Sequence, residues 1–193
     1  MHYAVIANSS LGVLGLLAQQ GAGADIVSGG EMKRALIAGI APDKIVFSGV
    51  GKTDDEIRAA LQAGIAQINA ESETELRHIS QIAADTERQA PVALRVNVNV
   101  DPGSHAKIST GERATKFGIP VADGEAAMLY RQLCSDPNLI PRGLAVHIGS
   151  QLRKLDPFER AYQELLALAD MLRAEGLDAV SYTHLTLPTM ELV

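Results

Sequence analysis

Cysteine is almost missing from this sequence: Cys134 is the only one, so no disulfide can form within the chain. That fits a reducing, cytoplasmic setting. Cys134 sits in a helical stretch and reads as a packing residue, because a free thiol is usually buried and inert. A basic excess is missing too. Lys and Arg number 17 against 23 Asp and Glu, for a net charge of −6, which favours solubility and argues against a nucleic-acid partner. No apolar run approaches the roughly 20 residues of a membrane helix, so no membrane span is expected. No basic segment followed by an apolar core opens the chain, so no signal peptide is expected. The chain begins directly on the strand-like HYAVIA, and a natural N-terminus is expected further upstream. His2, His78 and His184 stand at no ligand spacing with one another or with Cys134, and no metal site is expected.

What is present is an ordinary globular mixture, 47% hydrophobic and 21% charged over 193 residues. A chain of this length forms one domain and buries roughly 70% of its unfolded surface. Short β-branched runs alternate with amphipathic stretches. The predicted strands are Tyr3–Ile6, Ala24–Val27, Ile45–Ser48, Ala66–Asn69, Val92–Val96 and Leu144–Ile148. The predicted helices are Leu11–Gln19, Gly30–Ala38, Asp54–Ala63, Glu73–Ala84, Gly124–Leu133 and Phe158–Ala174. Apolar residues recur in them at helical spacing, as in Leu165, Leu168, Ala169 and Leu172. Gly21, Gly39, Gly64 and Gly176 punctuate helix ends. Regular alternation with short connections implies parallel strands and right-handed crossovers. Near-continuous apolar strands imply cover on both faces. A doubly wound sheet and a (β/α)8 barrel both fit. Six units in series without a break in composition favour an α/β TIM barrel, and a complete one needs about 250 residues, so closure is not expected.

Two segments break the pattern. Residues 97–123 form a long loop rich in Gly, Pro, Thr and charge after a strand end, where barrel active sites are built. Residues 181–193, SYTHLTLPTMELV, show no clean period of 2 or 3.6. They read as a non-native tail resembling translated adapter read-through, which leaves 1–180 as the partial barrel domain. A genuine strand followed by a natural tail is the alternative.

Eight segments occur in order: YAVIANSS, GAGADIVSGGE, KIVFSGVGKT, INAESETEL, LRVNVNVD, HAKISTG, KFGI and HIGSQ. Together they resemble the diaminopimelate decarboxylase family, within the group that includes the ornithine and arginine decarboxylases. The resemblance covers residues 3 to 179, and HIGSQ with KISTG points to the diaminopimelate branch. It implies an incomplete barrel that binds pyridoxal 5′-phosphate, with the C-terminal β domain absent. The implied reaction is decarboxylation of meso-diaminopimelate to L-lysine by a cytoplasmic enzyme that takes a small amino-acid substrate and works as a homodimer.

The resemblance also assigns residues. Tyr3–Ser10 matches a motif whose lysine, the Schiff-base residue, falls at position 6, where this chain has Ile6. Isoleucine has no nitrogen and cannot form a Schiff base. A single-base change (AAA to ATA), a genuine loss of the lysine, and a shifted match all remain open. His147 matches the histidine that stacks on one face of the cofactor ring. Ser150 matches a residue near its phosphate, and Arg95 a residue near the cofactor. Asp25 matches the aspartate that organises the lysine and histidine side of the site. For Arg95 a structural ion pair with a neighbouring strand's carboxylate is the alternative. Glu31, in the first turn of a helix, is explained equally well by capping. Gly29–Gly30 and Gly49–Gly51 read as ordinary βα turns rather than phosphate loops. His105, Lys107, Ser109, Lys116 and Phe117 either border the substrate pocket or face solvent. The family's glycine-rich phosphate loop, its ring-nitrogen glutamate and its second-domain cysteine and tyrosine have no match. The chain as it stands is therefore expected to be inactive. A non-catalytic pseudoenzyme or regulator on the same barrel is the second reading.

Overall fold

The computed structural model describes residues 1–98, 100, 117–149, 154–177 and 181–183. Strands and helices alternate as the hydrophobic pattern predicts. The order is β1 (His2–Ala4), α1 (Leu11–Gln19), β2 (Gly23–Ile26), α2 (Gly29–Ile37), β3 (Ile45–Phe47), α3 (Asp54–Ala63), β4 (Gln67–Ala70), α4 (Glu73–Asp85), β5 (Ala90–Asn97), β6 (Ile119–Pro120), α5 (Glu125–Ser135), β7 (Leu139–Val146), α6 (Asp156–Ala174) and β8 (Ser181–Thr183). Every strand pairing is parallel, and the ladder runs β1-β2-β3-β4-β5-β7-β8, with β6 attached to β5. Because sequence order equals spatial order along the main path, the sheet curls in one direction as an open, incomplete barrel.

One apolar layer joins sheet to helices. Ile26, Phe47, Ile68, Leu94 and Leu144 meet Leu14, Ile57, Ile79, Tyr130 and Leu165 from the helices, all fully buried. Successive strand side chains point to opposite faces. The residues between these apolar positions therefore face the barrel interior: Asp25, Val46, Gln67, Asn69, Ala93, Arg95 and Ala145. Four of these seven are polar or charged, in strands that apart from Arg95 and Asn97 are wholly buried.

The helix starts explain why the loops sit where they do. Ser28 accepts from Glu31 N at 3.2 Å, and Glu31 Oε2 accepts from Val27 N at 2.8 Å, so Glu31 serves as a cap. Thr53 and Glu56 form a full capping box on α3. Ser72 accepts from Glu75 N at 3.2 Å at the start of α4.

The structure moves several boundaries. The first strand ends at Ala4, and Val5–Ala7 form a single 3-10 turn, so Ile6 lies past the strand rather than in it. The predicted strand Leu144–Ile148 begins at Leu139 and ends at Val146. Val92 pairs with Pro141 but Ala93 with Gly143, leaving Arg142 as an extra residue in a bulge. Gly143, at φ 127°, supplies the conformation this bulge needs. Residues 181–183, within the segment read as a non-native tail, pair with β7 at Leu144–Val146. Cys134 is partly buried against the core, as a packing residue should be.

Candidate active site

The strands' C-terminal ends meet around a cavity of about 160 Å³. Ala4 and Ile6 line it from β1 and the following turn, Asp25 and Val27 from β2, Ser48 and Gly49 from β3, and Asn69 from β4. Arg95 on β5 and Ala145, Val146 and His147 at the end of β7 complete the wall. Of the five residues singled out from sequence, Ile6, Asp25, Arg95 and His147 share this cavity. Ser150, His105, Lys107, Ser109 and Lys116 lie outside the described residues.

Arg95 makes the ion pair with a neighbouring strand's carboxylate and also lines the cavity. Its Nη1 donates to Glu71 Oε2 at 2.7 Å, the carboxylate just past the neighbouring strand. Phe117 is 62% exposed and is not among the cavity's lining residues; its ring lies 5.8 Å from the Arg95 guanidinium carbon. Glu71 uses its second oxygen to accept from Gly49 N at 3.1 Å. Gly49, at φ 99°, can turn its amide in this way because it has no Cβ. Gly29 N donates to Glu56 Oε1 at 2.7 Å. Both glycine amides are thus held by carboxylates of the chain, which agrees with reading them as turns and not phosphate loops.

Asp25 is 4% exposed and accepts from Ser48 Oγ at 2.6 Å. Asn69 Nδ2 donates to Ser48 Oγ at 3.0 Å, and Gln67 Nε2 donates to Asn69 Oδ1 at 2.6 Å. Glu31 lies close enough for the Asp25 charge to matter. Partial burial pushes its carboxyl above the ordinary value, the Val27 amide pulls it back, and Asp25 adds to the rise.

Sequence reasoning missed Lys52, whose side chain has 0% exposure. Its ammonium donates to Gly49 O, to Asn69 O at 2.8 Å and to Glu75 Oε1 at 2.8 Å. It also lies 5.7 Å from the Phe47 ring centre. Its three N–H donors match three acceptors, so this buried amine acts as a structural cation and offers no lone pair to replace the one Ile6 lacks. Ser48, Gln67, Asn69 and Glu71 were missed as well, although Gln67 and Asn69, polar at alternate positions of a buried strand, were a visible signal.

Pyridoxal phosphate fits this cavity in part. The guanidinium, imidazole and buried carboxylate that converge here suit a flat, charged heteroaromatic ring. The tether does not fit, because Ile6 stands where an amine is required. Among the described residues no group of three His, Cys, Asp or Glu side chains could hold a metal ion. No helix among them is long and apolar enough to cross a membrane.

The comparisons agree with this geometry. Residues 1–183 match the model of the pyridoxal-dependent decarboxylases, pyridoxal binding domain. The chain belongs to this family. Over 175 residues it is 52% identical to the diaminopimelate decarboxylase of Vibrio cholerae, covering 91% of this chain and 42% of that one. The Pseudomonas fluorescens diaminopimelate decarboxylase is 53% identical over 176 residues, covering 91% and 42%. The crystal structure of diaminopimelate decarboxylase from Helicobacter pylori, complexed with L-lysine, superposes with a TM-score of 0.86 at 43% identity, covering 92% of this chain and 45% of that one. The chain thus spans about two-fifths of the length of these relatives.

Proposed function

We propose that this chain is the cofactor-binding part of a diaminopimelate decarboxylase, which converts meso-diaminopimelate to L-lysine and carbon dioxide. One observation carries the reading: Ile6, Asp25, Arg95 and His147 come from four separate strand ends to a single cavity, on a chain about half identical to enzymes of that name. Residue 6 is the attachment position, His147 covers one face of the ring, Asp25 orients the groups on that side, and Arg95 supplies a fixed positive charge. Ser150 belongs near the phosphate. Pyridoxal phosphate supplies, when bound, a ring able to accept the electron pair left behind by departing carbon dioxide. The Arg95 charge is held in place by Glu71 and screened on one side by Phe117.

Residues 1–180 form the partial barrel domain in this reading, and the parent protein contributes the missing strands and a C-terminal β domain. The parent is a cytoplasmic homodimer without a nucleic-acid partner. With Ile6 at the attachment position the chain itself decarboxylates nothing.

A second reading, a non-catalytic relative on the same barrel, is favoured by Ile6 together with the full engagement of Lys52. The full-length protein separates the two when assayed with Ile6 and as Ile6→Lys. Lysine formed from diaminopimelate only by the Ile6→Lys protein, with a cofactor absorbance band that hydride reduction removes, supports the first reading. A well-folded Ile6→Lys protein that binds the cofactor and forms no lysine supports the second.

A further inference from the structure

Ser48, just past β3, and Gln67 and Asn69 on β4 have no part in the assignment above, yet they form a directed chain. Gln67 donates to Asn69 at 2.6 Å, Asn69 to Ser48 at 3.0 Å, and Ser48 to Asp25 at 2.6 Å. Each link donates toward the cavity, and the chain ends on a carboxylate that is 4% exposed. Hydrogen bonds arranged head to tail polarise one another, and a buried anion gains most from a donor already polarised in this way. Gln67 and Asn69 are themselves 6% and 2% exposed, so the network is shielded from water. Lys52 holds the Asn69 carbonyl at 2.8 Å, which fixes the backbone from which the Asn69 amide projects. Three neighbouring strands, β2, β3 and β4, therefore determine where the Asp25 carboxylate points.

We propose that Ser48 and Asn69 are positioning residues, links in a one-way hydrogen-bond chain from Gln67 that fixes the Asp25 carboxylate at the cavity wall it shares with residue 6. The inference rests on the proposed role of Asp25 in the decarboxylase site. Losing the Ser48 hydroxyl removes a direct donor to the carboxylate. Losing the Asn69 amide leaves that donor in place but unpolarised and free to rotate. The effect on Asp25 should therefore be graded, with Ser48→Ala larger than Asn69→Ser, and Ser48→Thr close to the parent.

The titratable neighbours are unchanged across this series. Glu31 approaches from the start of α2, Glu71 follows β4, Arg95 lies on β5 and His147 follows β7, while β1 and its turn present only Ala4 and Ile6 to the cavity.

The decisive measurement is the ¹³C titration of the Asp25 carboxyl in the cofactor-free full-length protein, assigned by its loss in Asp25→Asn. Removing a hydrogen bond to a charged group raises the midpoint by about one to two units, roughly a tenfold or greater weakening of the acid. Ser48→Ala should show this shift, Asn69→Ser a smaller shift in the same direction, and Ser48→Thr none. If Ser48→Ala does not fold, Asn69→Ser against Ser48→Thr gives the same contrast. An Asp25 midpoint unmoved in the folded variants overturns the proposal.

A second arm follows kcat against pH in full-length Ile6→Lys protein, where Ser48→Ala should move the acid limb upward and Ser48→Thr restore it. Absence of lysine production from the Ile6→Lys parent would sink the decarboxylase reading. The titration, which uses no cofactor, would still decide the hydrogen-bond chain alone.

Discussion

Glu71 has both oxygens engaged, one by Arg95 and one by the Gly49 amide, with a side chain only 3% exposed. Its removal leaves the Arg95 guanidinium, 16% exposed, without its ion-pair partner at the cavity wall. Breaking such a pair costs more than it contributes, because one desolvated charge remains. Glu71→Ala is expected to lower stability by about 2–3 kcal/mol, at the lower end for a buried pair because Arg95 retains some solvent. The double change Glu71→Leu with Arg95→Met, which replaces both charges by apolar bulk, should cost less than the single one. Urea unfolding of the three proteins tests this, and a double variant less stable than Glu71→Ala contradicts the argument. Arg95 was legible in the sequence because a guanidinium inside an apolar strand must find an anion. Glu71 was not, because AESETEL reads as a run of helix-start carboxylates, and only the adjacency of β4 and β5 singles out one of them. Lys52 stayed hidden for a similar reason: a lysine in a glycine-rich turn looks solvated until the carbonyls of Gly49 and Asn69 close around it.

The elements themselves were far more legible, since six strands and six helices follow from period and punctuation. Their errors have physical causes. The end of β1 was overrun because Val5 and Ile6 are β-branched, while the chain turns there to bury Val5 and leave Ile6 60% exposed. The start of β7 was missed because Pro141 and Gly143 look like a turn, whereas the strand absorbs them as a bulge. Strands as short as β6 and β8 carry no period at all. Helix α3 shows how a local signal becomes a tertiary one. Glu56 closes the capping box by accepting from Thr53 N at 3.0 Å, and its other oxygen accepts from Gly29 N at 2.7 Å at the start of α2. These amide donors, Gly29 first, hold the Glu56 carboxyl below its ordinary value of 4.5. A depressed folded value stabilises the protein above the unfolded carboxylate's range, and that contribution is lost as pH falls through the folded value. Because Glu56 is largely solvated, the effect is small: Glu56→Gln should cost less than about 1 kcal/mol at pH 7. The gap between the two proteins should close as pH falls below the ordinary carboxylate range and through the lowered folded value. Paired urea midpoints across pH test the sign, and a gap that widens in acid refutes it.

Across the molecule, the decisive feature is a barrel ladder with two ends. Among the described residues β1 pairs only with β2, and β8 only with β7, so each presents one strand edge along which backbone donors and acceptors have no ladder partner. Parallel sheets of this kind are normally closed or covered, and an uncovered edge recruits strands from other chains. In relatives more than twice as long, the remaining three-fifths of the chain is available to complete the structure. The 193-residue chain by itself is therefore expected to self-associate with rising concentration, by edge pairing. Sedimentation velocity over a concentration series checks this, read against the full-length protein, which should give one species of fixed size across the same range. Tyr3→Lys, on the β1 edge, should reduce the association by charge repulsion between paired edges, at some cost in stability because Tyr3 packs against the core. A 193-residue chain that stays monomeric at high concentration would show that its edges are already protected and that the open ladder is not what governs its behaviour in solution.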